Sequence, residues 1–134
     1  QVVISGLKGA VESASEKLKS AGARRVMPLA LSAPVHCRDQ EPSVEVMRKE
    51  FENVKIETPK SKWISNKTCA VIENPDDIKE ALIYQLTHGV RWRESVLEMV
   101  NLGINTAVEI GPGSVLSGLI SRTTDKKKTE KLEI

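Results

Sequence analysis

Thr106-Ala107-Val108-Glu109-Ile110, then Gly111-Pro112-Gly113, then Ser114-Val115-Leu116 form one continuous stretch whose reading decides the fold. The β-branched run predicts a strand, Gly-Pro-Gly a tight turn, and Val115, Leu116, Leu119 and Ile120 the core face of a helix. A strand passing directly into a helix is the signature of an α/β chain. Upstream, Trp92, Val96 and Met99 fall at helical spacing before Gly103. Asn74-Pro75-Asp76-Asp77 is a strong helix start, with a cap residue, proline in the first turn and two acids on the positive end of the macrodipole. Ile78, Leu82, Gln85 and Gly89 share one face of that helix, so Gln85 points inward and needs a partner. Trp63-Ile64-Ser65-Asn66 is a short buried segment running into a loop. Asp39, Glu41 and Pro42 suit another first turn, with Val44, Met47 and Phe51 as its buried stripe. Val26 to Leu31 reads as a strand whose Pro28 implies an edge or a bulge. Leu7, Val11, Ala14 and Leu18 mark an amphipathic helix stopped by Gly22, and Val2 to Ser5 a short opening strand.

Length and composition bound the function. A chain of 134 residues with 40% hydrophobic content can bury one core, as one domain or a piece of a larger one. Lys and Arg number 20 against 18 Asp and Glu, a net charge of +2 too balanced to indicate nucleic acid. One Phe, one Tyr and two Trp leave little for base stacking. The two cysteines, Cys37 and Cys69, are far apart and form no CxxC, which fits a reducing compartment. No run reaches the ~18 apolar residues of a membrane span. The chain opens on Gln1 inside a strand-like run, which predicts a piece of a longer protein. From Thr123 the sequence turns polar through Lys126-Lys127-Lys128, which predicts a mobile tail.

The apolar run Leu31-Ser32-Ala33-Pro34-Val35-His36-Cys37 ends in a histidine placed at the edge of an expected buried strand. His36 is a candidate general base, which requires one ring nitrogen free and the other held by an acceptor. The alternative is a strand-end histidine bonded to a neighbouring carbonyl. Cys37 is a poor partner for it, since adjacent side chains on an extended segment point to opposite faces. His36, Cys37, Cys69 and His88 show none of the paired spacings of a metal site. Gly111-Pro112-Gly113 lacks the phosphate-binding patterns and loses an amide to proline, which favours a structural turn. Arg24, Arg25 and the tail lysines are either a docking patch for an acidic partner or a solvated face.

Taken together, Gln1-Val2-Val3-Ile4-Ser5-Gly6, Ala21-Gly22-Ala23, Pro34-Val35-His36, Ser65-Asn66, Tyr84-Gln85-Leu86, Val90-Arg91-Trp92 with Ser95-Val96, and Glu109 to Leu116 resemble the C-terminal half of the malonyl-CoA:acyl-carrier-protein transacylase family. The resemblance runs over residues 1 to 122. It implies an α/β fold made of the C-terminal part of a hydrolase-like core, residues 33–122, and half of a ferredoxin-like small subdomain, residues 1–32, ahead of a tail at 123–134. It implies transfer of malonyl from malonyl-CoA, through a malonyl-serine ester, to the phosphopantetheine thiol of acyl carrier protein in fatty-acid biosynthesis. His36 matches the family's catalytic histidine, and Gln85 the residue whose main-chain carbonyl orients it in place of a triad aspartate. Asn66 matches an asparagine close to the active site, with a loop-capping role as the alternative. Arg24, Arg25 and Arg122 match basic positions that help receive the acidic carrier protein.

The resemblance also implies no cofactor and no metal, the phosphopantetheine being carried by the partner. It implies a bacterial cytoplasmic protein that acts on neither nucleic acid nor membrane. The family's nucleophilic serine, its oxyanion-hole donors and its malonyl-binding arginine fall upstream of what corresponds to Gln1, so the 134-residue chain alone is expected to be inactive. Asp39 and Gln40 stand where the family often has apolar residues. Two alternatives remain: the same segment of a larger fatty-acid or polyketide synthase, and a non-catalytic fragment that only binds acyl carrier protein.

Overall fold

The structure, a computed structural model, describes residues 2–124 and the backbone of Lys128–Leu132. It is a mixed α/β chain that divides into two units: Gln1–Glu57 with Lys79–Val90, and Thr58–Ile78 with Arg91–Ile134.

In the first unit, Lys8–Ser20 forms helix α1, with Lys17 and Lys19 in its last turn, where cations complement the carbonyl end. Its exit closes with bonds from Ala21 N to Lys17 O (2.9 Å), Gly22 N to Lys19 O (3.0 Å) and Ala23 N to Leu18 O (2.9 Å). Gly22 has a φ of 90°, the conformation that makes glycine the residue of choice at a helix stop. A 3-10 turn at Arg38–Gln40 leads into α2, Glu41–Glu52, with Glu41 and Pro42 in its first turn as the sequence predicts. The later part of α3, the helix Pro75–Thr87, supplies this unit's most buried apolar side chains, Ala81 and Ile83. Lys79 Nζ donates to the Phe51 carbonyl at 2.9 Å and Arg48 pairs with Glu80 at 2.7 Å, so both contacts tie α3 to α2.

Two expected strands of this unit do not form. Val2–Ser5 and Val26–Leu31 carry no ladder pairing, and Val2, Met27, Leu29 and Leu31 are more than half exposed. A strand exists only when its N–H and C=O groups find a neighbouring strand, and among the described residues none lies beside these two. The Leu31 N–H instead bonds back to the Leu29 carbonyl at 2.8 Å, a three-residue turn at the end of the run. The stretch before His36 is therefore exposed and irregular, not the edge of a buried strand.

In the second unit, β1 (Trp63–Ile64) pairs antiparallel with β2 (Val71–Ile72). The fully buried Ser65 closes the connection: its amide donates to the Ala70 carbonyl (3.0 Å), its carbonyl accepts from Cys69 N (2.7 Å), and its hydroxyl accepts from Lys67 N (3.1 Å). Asn74 Oδ1 caps the start of α3 by accepting from the amides of Asp76 (2.8 Å) and Asp77 (3.2 Å). Helix α4, Trp92–Asn101, buries Val96 and stops at Gly103, whose φ is 78°. Strand β3, Thr106–Ile110, is followed by α5, Val115–Thr123, and then by β4, Lys128–Leu132, which lies parallel to β3 with Thr106 opposite Lys128 and Ile110 opposite Leu132. Helix α5 is the crossover that a parallel pair requires. Of the polar tail, residues 125–127, 133 and 134 lie outside the described residues.

Candidate functional site

His36 lies between the irregular apolar run and the 3-10 turn, with a φ of 56° in the left-handed region. For a residue with a Cβ that conformation costs about 1–2 kcal/mol and persists only where its surroundings enforce it. The side chain is exposed, and its Nδ1 lies 2.7 Å from the carbonyl oxygen of Gln85. A carbonyl only accepts, so Nδ1 carries the proton and donates. In the neutral imidazole the lone pair is then on Nε2.

The acceptor is available for a reason rooted in helix geometry. Gln85 is in the last turn of α3, at the carbonyl end of the helix, where a side-chain donor can reach a main-chain oxygen. The carbonyls there are the negative end of the macrodipole and attract a donor. The neighbouring one, of Tyr84, is 2.9 Å from His88 Nδ1, and the His88 ring stacks on Tyr84 with centroids 3.6 Å apart. His88 thus makes a local cap, while His36 comes from 49 residues away in sequence.

The loop around His36 is cross-braced. Gln40 Nε2 donates to the Pro34 carbonyl, Ser43 Oγ donates to Gln40 Oε1 (2.9 Å), and Gln40 N donates to the Cys37 carbonyl (3.0 Å). The Cys37 thiol is directed at Asp39 Oδ2, 3.8 Å away, a long contact that leaves the imidazole without a thiol partner. Among the described residues no three His, Cys, Asp or Glu side chains gather as metal ligands would.

Asn66 belongs to the second unit. Its Oδ1 accepts from the amide of Arg91, the residue before α4, at 2.7 Å; the Arg91 guanidinium donates to the Lys67 carbonyl at 3.2 Å and to Glu94 at 3.3 Å. Glu94 sits below the usual carboxylate range, chiefly because its carboxylate accepts from its own backbone amide and then from Arg91. The oxygen of Asn66 therefore fixes the α4 start. Arg24 and Arg25 are exposed after α1 in the first unit, and Arg122 is exposed in the last turn of α5 in the second.

Gly111-Pro112-Gly113 opens α5 without offering it to an anion. The Glu109 carboxylate already accepts from Leu116 N (3.1 Å), Ser117 N (2.8 Å) and Ser117 Oγ (2.7 Å). Glu109 shares its face of β3 with Ala107, while Val108 and Ile110 are 52% and 67% exposed. The strand's alternation places an acid inward, a signal that it must have a partner there. The cavity lined by Val96, Met99, Ile104, Ala107 and Ile120 has a volume of about 20 Å³. Its walls are mainly apolar, and it has room for about one water-sized sphere, far too little for a substrate.

Comparison with known proteins gives first the class: the relatives and structural neighbours are acyltransferases that carry acyl-carrier-protein malonyltransferase names. In particular, the chain is similar to a C-terminal portion of malonyl CoA-acyl carrier protein transacylase, being 42% identical to the Haemophilus influenzae protein over 122 residues, 91% of this chain and 39% of that protein. The solved acyl carrier protein S-malonyltransferase of Vibrio cholerae superposes with a TM-score of 0.89 at 36% identity, over 95% of this chain and 42% of that one. A malonyl-transacylase solved in complex with its type II PKS acyl-carrier protein superposes with a TM-score of 0.88 at 33% identity, over 96% of this chain and 41% of that one. The chain spans about two fifths of the length of the curated relatives it matches. No family model matches it.

Proposed function

We propose that this chain supplies the histidine half of a malonyl-CoA:acyl-carrier-protein transacylase of fatty-acid synthesis. The observation that carries this reading is the 2.7 Å contact from His36 Nδ1 to the Gln85 carbonyl. In the proposed reaction, Nε2 of His36 takes the proton of a serine hydroxyl supplied by residues outside this chain. The serine oxygen attacks the malonyl thioester, the C–S bond breaks, and the departing CoA sulfur takes the proton from Nε2. The phosphopantetheine thiol of acyl carrier protein then gives its proton to Nε2 and attacks the malonyl-serine ester. The C–O bond breaks, and the serine oxygen recovers the proton. The Gln85 carbonyl stays bonded to Nδ1–H throughout, since that proton is present in both the neutral and the cationic ring.

The same reading assigns residues 33–122 to a hydrolase-like core and residues 1–32 to half of a ferredoxin-like subdomain, in a cytoplasmic bacterial enzyme without metal or other cofactor. Asn66 lies near the substrate, and Arg24, Arg25 and Arg122 steer the acidic carrier protein, an attraction that salt screens. Resemblance to the malonyl-transacylase complexed with a type II PKS acyl-carrier protein favours, as the second reading, a carrier protein of polyketide rather than fatty-acid synthesis.

The test uses the native polypeptide carrying this chain and radiolabelled malonyl-CoA. His36→Gln is expected to lower transfer to acyl carrier protein by roughly 10²–10⁴-fold. Gln85→Ala, which keeps the backbone carbonyl, is expected to retain most of it. Retained transfer in His36→Gln, or a stable malonyl ester formed by the 134-residue chain alone, would overturn the reading.

A further inference from the structure

We propose that Gln40 is a positioning residue for His36: its carboxamide bridges the Pro34 carbonyl and the Ser43 hydroxyl and so holds the histidine in its left-handed conformation. The catalytic meaning of this rests on the transfer reading above; the geometry does not.

Pro34 to Gln40 forms a short loop with His36 inside it. The Gln40 side chain joins the loop's end to its beginning, because Nε2 donates to the Pro34 carbonyl. The orientation of the carboxamide is fixed by its partners. A carbonyl can only accept, so the NH2 group faces Pro34, which leaves Oε1 for the Ser43 hydroxyl at 2.9 Å. The backbone of Gln40 adds a bond to the Cys37 carbonyl at 3.0 Å, immediately after the histidine. The closure spans the segment whose middle residue, His36, has the strained φ of 56°. The ring's bond to Gln85 fixes one atom at the end of a rotatable side chain and leaves the backbone unconstrained. Ser43 lies in the first turn of α2, so the brace transmits the rigidity of a helix to the loop that carries the histidine. An apolar side chain of equal length at position 40 would fill the same space and leave the Pro34 carbonyl without its donor.

The predicted consequence is a tautomer. In the native polypeptide labelled with 15N-histidine, the neutral His36 ring should be protonated at Nδ1, its resonances assigned by their loss in His36→Gln. In Gln40→Met the ring is expected to shift toward a mixture of the two tautomers, with kcat lowered about tenfold and KM for malonyl-CoA unchanged, the pattern of a misplaced reacting group. Gln40→Glu, which has no donor for Pro34, should behave like Gln40→Met. Ser43→Ala should move the tautomer in the same direction by less, and Ser43→Thr should restore it; this pair decides the matter if Gln40→Met does not fold. An unchanged Nδ1–H tautomer in Gln40→Met or, failing that variant, in Ser43→Ala overturns the inference. If the tautomer responds to Gln40 but transfer does not depend on His36, the brace stands and the transfer reading falls.

Discussion

Removal of the Glu109 carboxylate tests how the strand-turn-helix stretch is held. Helix α5 starts after Ser114, whose own side chain makes no capping bond. The cap comes instead from Glu109, which accepts from Leu116 N, Ser117 N and Ser117 Oγ at 3.1, 2.8 and 2.7 Å. Glu109→Ala strands two backbone amides and a hydroxyl. Loss of a helix cap costs about 1 kcal/mol, loss of a negative charge from the positive end of the macrodipole about 0.5 kcal/mol, and loss of the hydroxyl bond about 1 kcal/mol. The sum, roughly 2–3 kcal/mol, is a large share of a domain's stability. Glu109→Gln keeps one acceptor oxygen and loses the charge, and should cost about half as much.

Urea unfolding of the purified protein measures both. With a slope of about 1–3 kcal/mol per molar, the alanine variant's midpoint should fall by roughly 0.7–3 M. Ser117→Ala combined with Glu109→Ala should show a coupling of at least about 0.5 kcal/mol, because the two side chains share a bond. Inorganic phosphate should leave the wild-type midpoint unchanged, the helix end being occupied already. A Glu109→Ala variant within about 0.5 kcal/mol of wild type, or a glutamine variant less stable than the alanine one, would refute the capping role.

Asn66→Ala removes the acceptor for the Arg91 amide and should destabilise by about 1 kcal/mol, while Asn66→Asp keeps it and stays near wild type; unchanged stability in Asn66→Ala with a large loss of transfer would identify a substrate contact instead. Glu94 titrates below the ordinary carboxylate range because of its own backbone amide and then Arg91. A depressed carboxylate pKa contributes stability that is present above the unfolded pKa and disappears as pH falls through the folded one, so this contribution persists through neutral pH and is lost only in acid. Arg91→Gln should raise the Glu94 pKa toward the ordinary range when followed by side-chain 13C shifts, and no movement would remove Arg91 as a cause.

The helices were legible because their signals are local. Asn74-Pro75-Asp76-Asp77 contains its own cap, and Gly22 and Gly103 sit at positive φ where the chain must turn. The strands were less so, because pairing is a relation between distant segments. Val26–Leu31 has strand composition and no ladder, whereas the polar Lys128–Leu132 pairs along all five positions with Thr106–Ile110. The β1–β2 connection has no turn signature in the sequence because its left-handed residue is Cys69, with a φ of 56°, where a glycine would announce a turn. At the candidate site, the link between His36 and Gln85 spans 49 residues and could be read only through family resemblance. Gln40 stands out in the sequence only as a polar residue where the family often has an apolar one, and its link to Ser43 carries no signal, since a polar pair three residues apart at a helix start reads as ordinary surface.

A helix-end carbonyl is a suitable orienter for the proposed chemistry on electrostatic grounds. Malonyl is an anion, and a carboxylate orienter would place a full negative charge on the far side of the imidazole from it. At a separation of about 6–7 Å and an effective dielectric constant of about 20, two unit charges repel by roughly 2–3 kcal/mol. The carbonyl end of a helix carries only about half a charge, shared among several groups. In the proposed reaction the Gln85 carbonyl would therefore fix the tautomer of His36 with much less repulsion of a malonyl anion. The cost is a weaker hold on the ring than a charge-assisted bond would give. A weaker hold leaves more of the positioning to the loop itself, and the Pro34–Gln40–Ser43 brace lies on that loop.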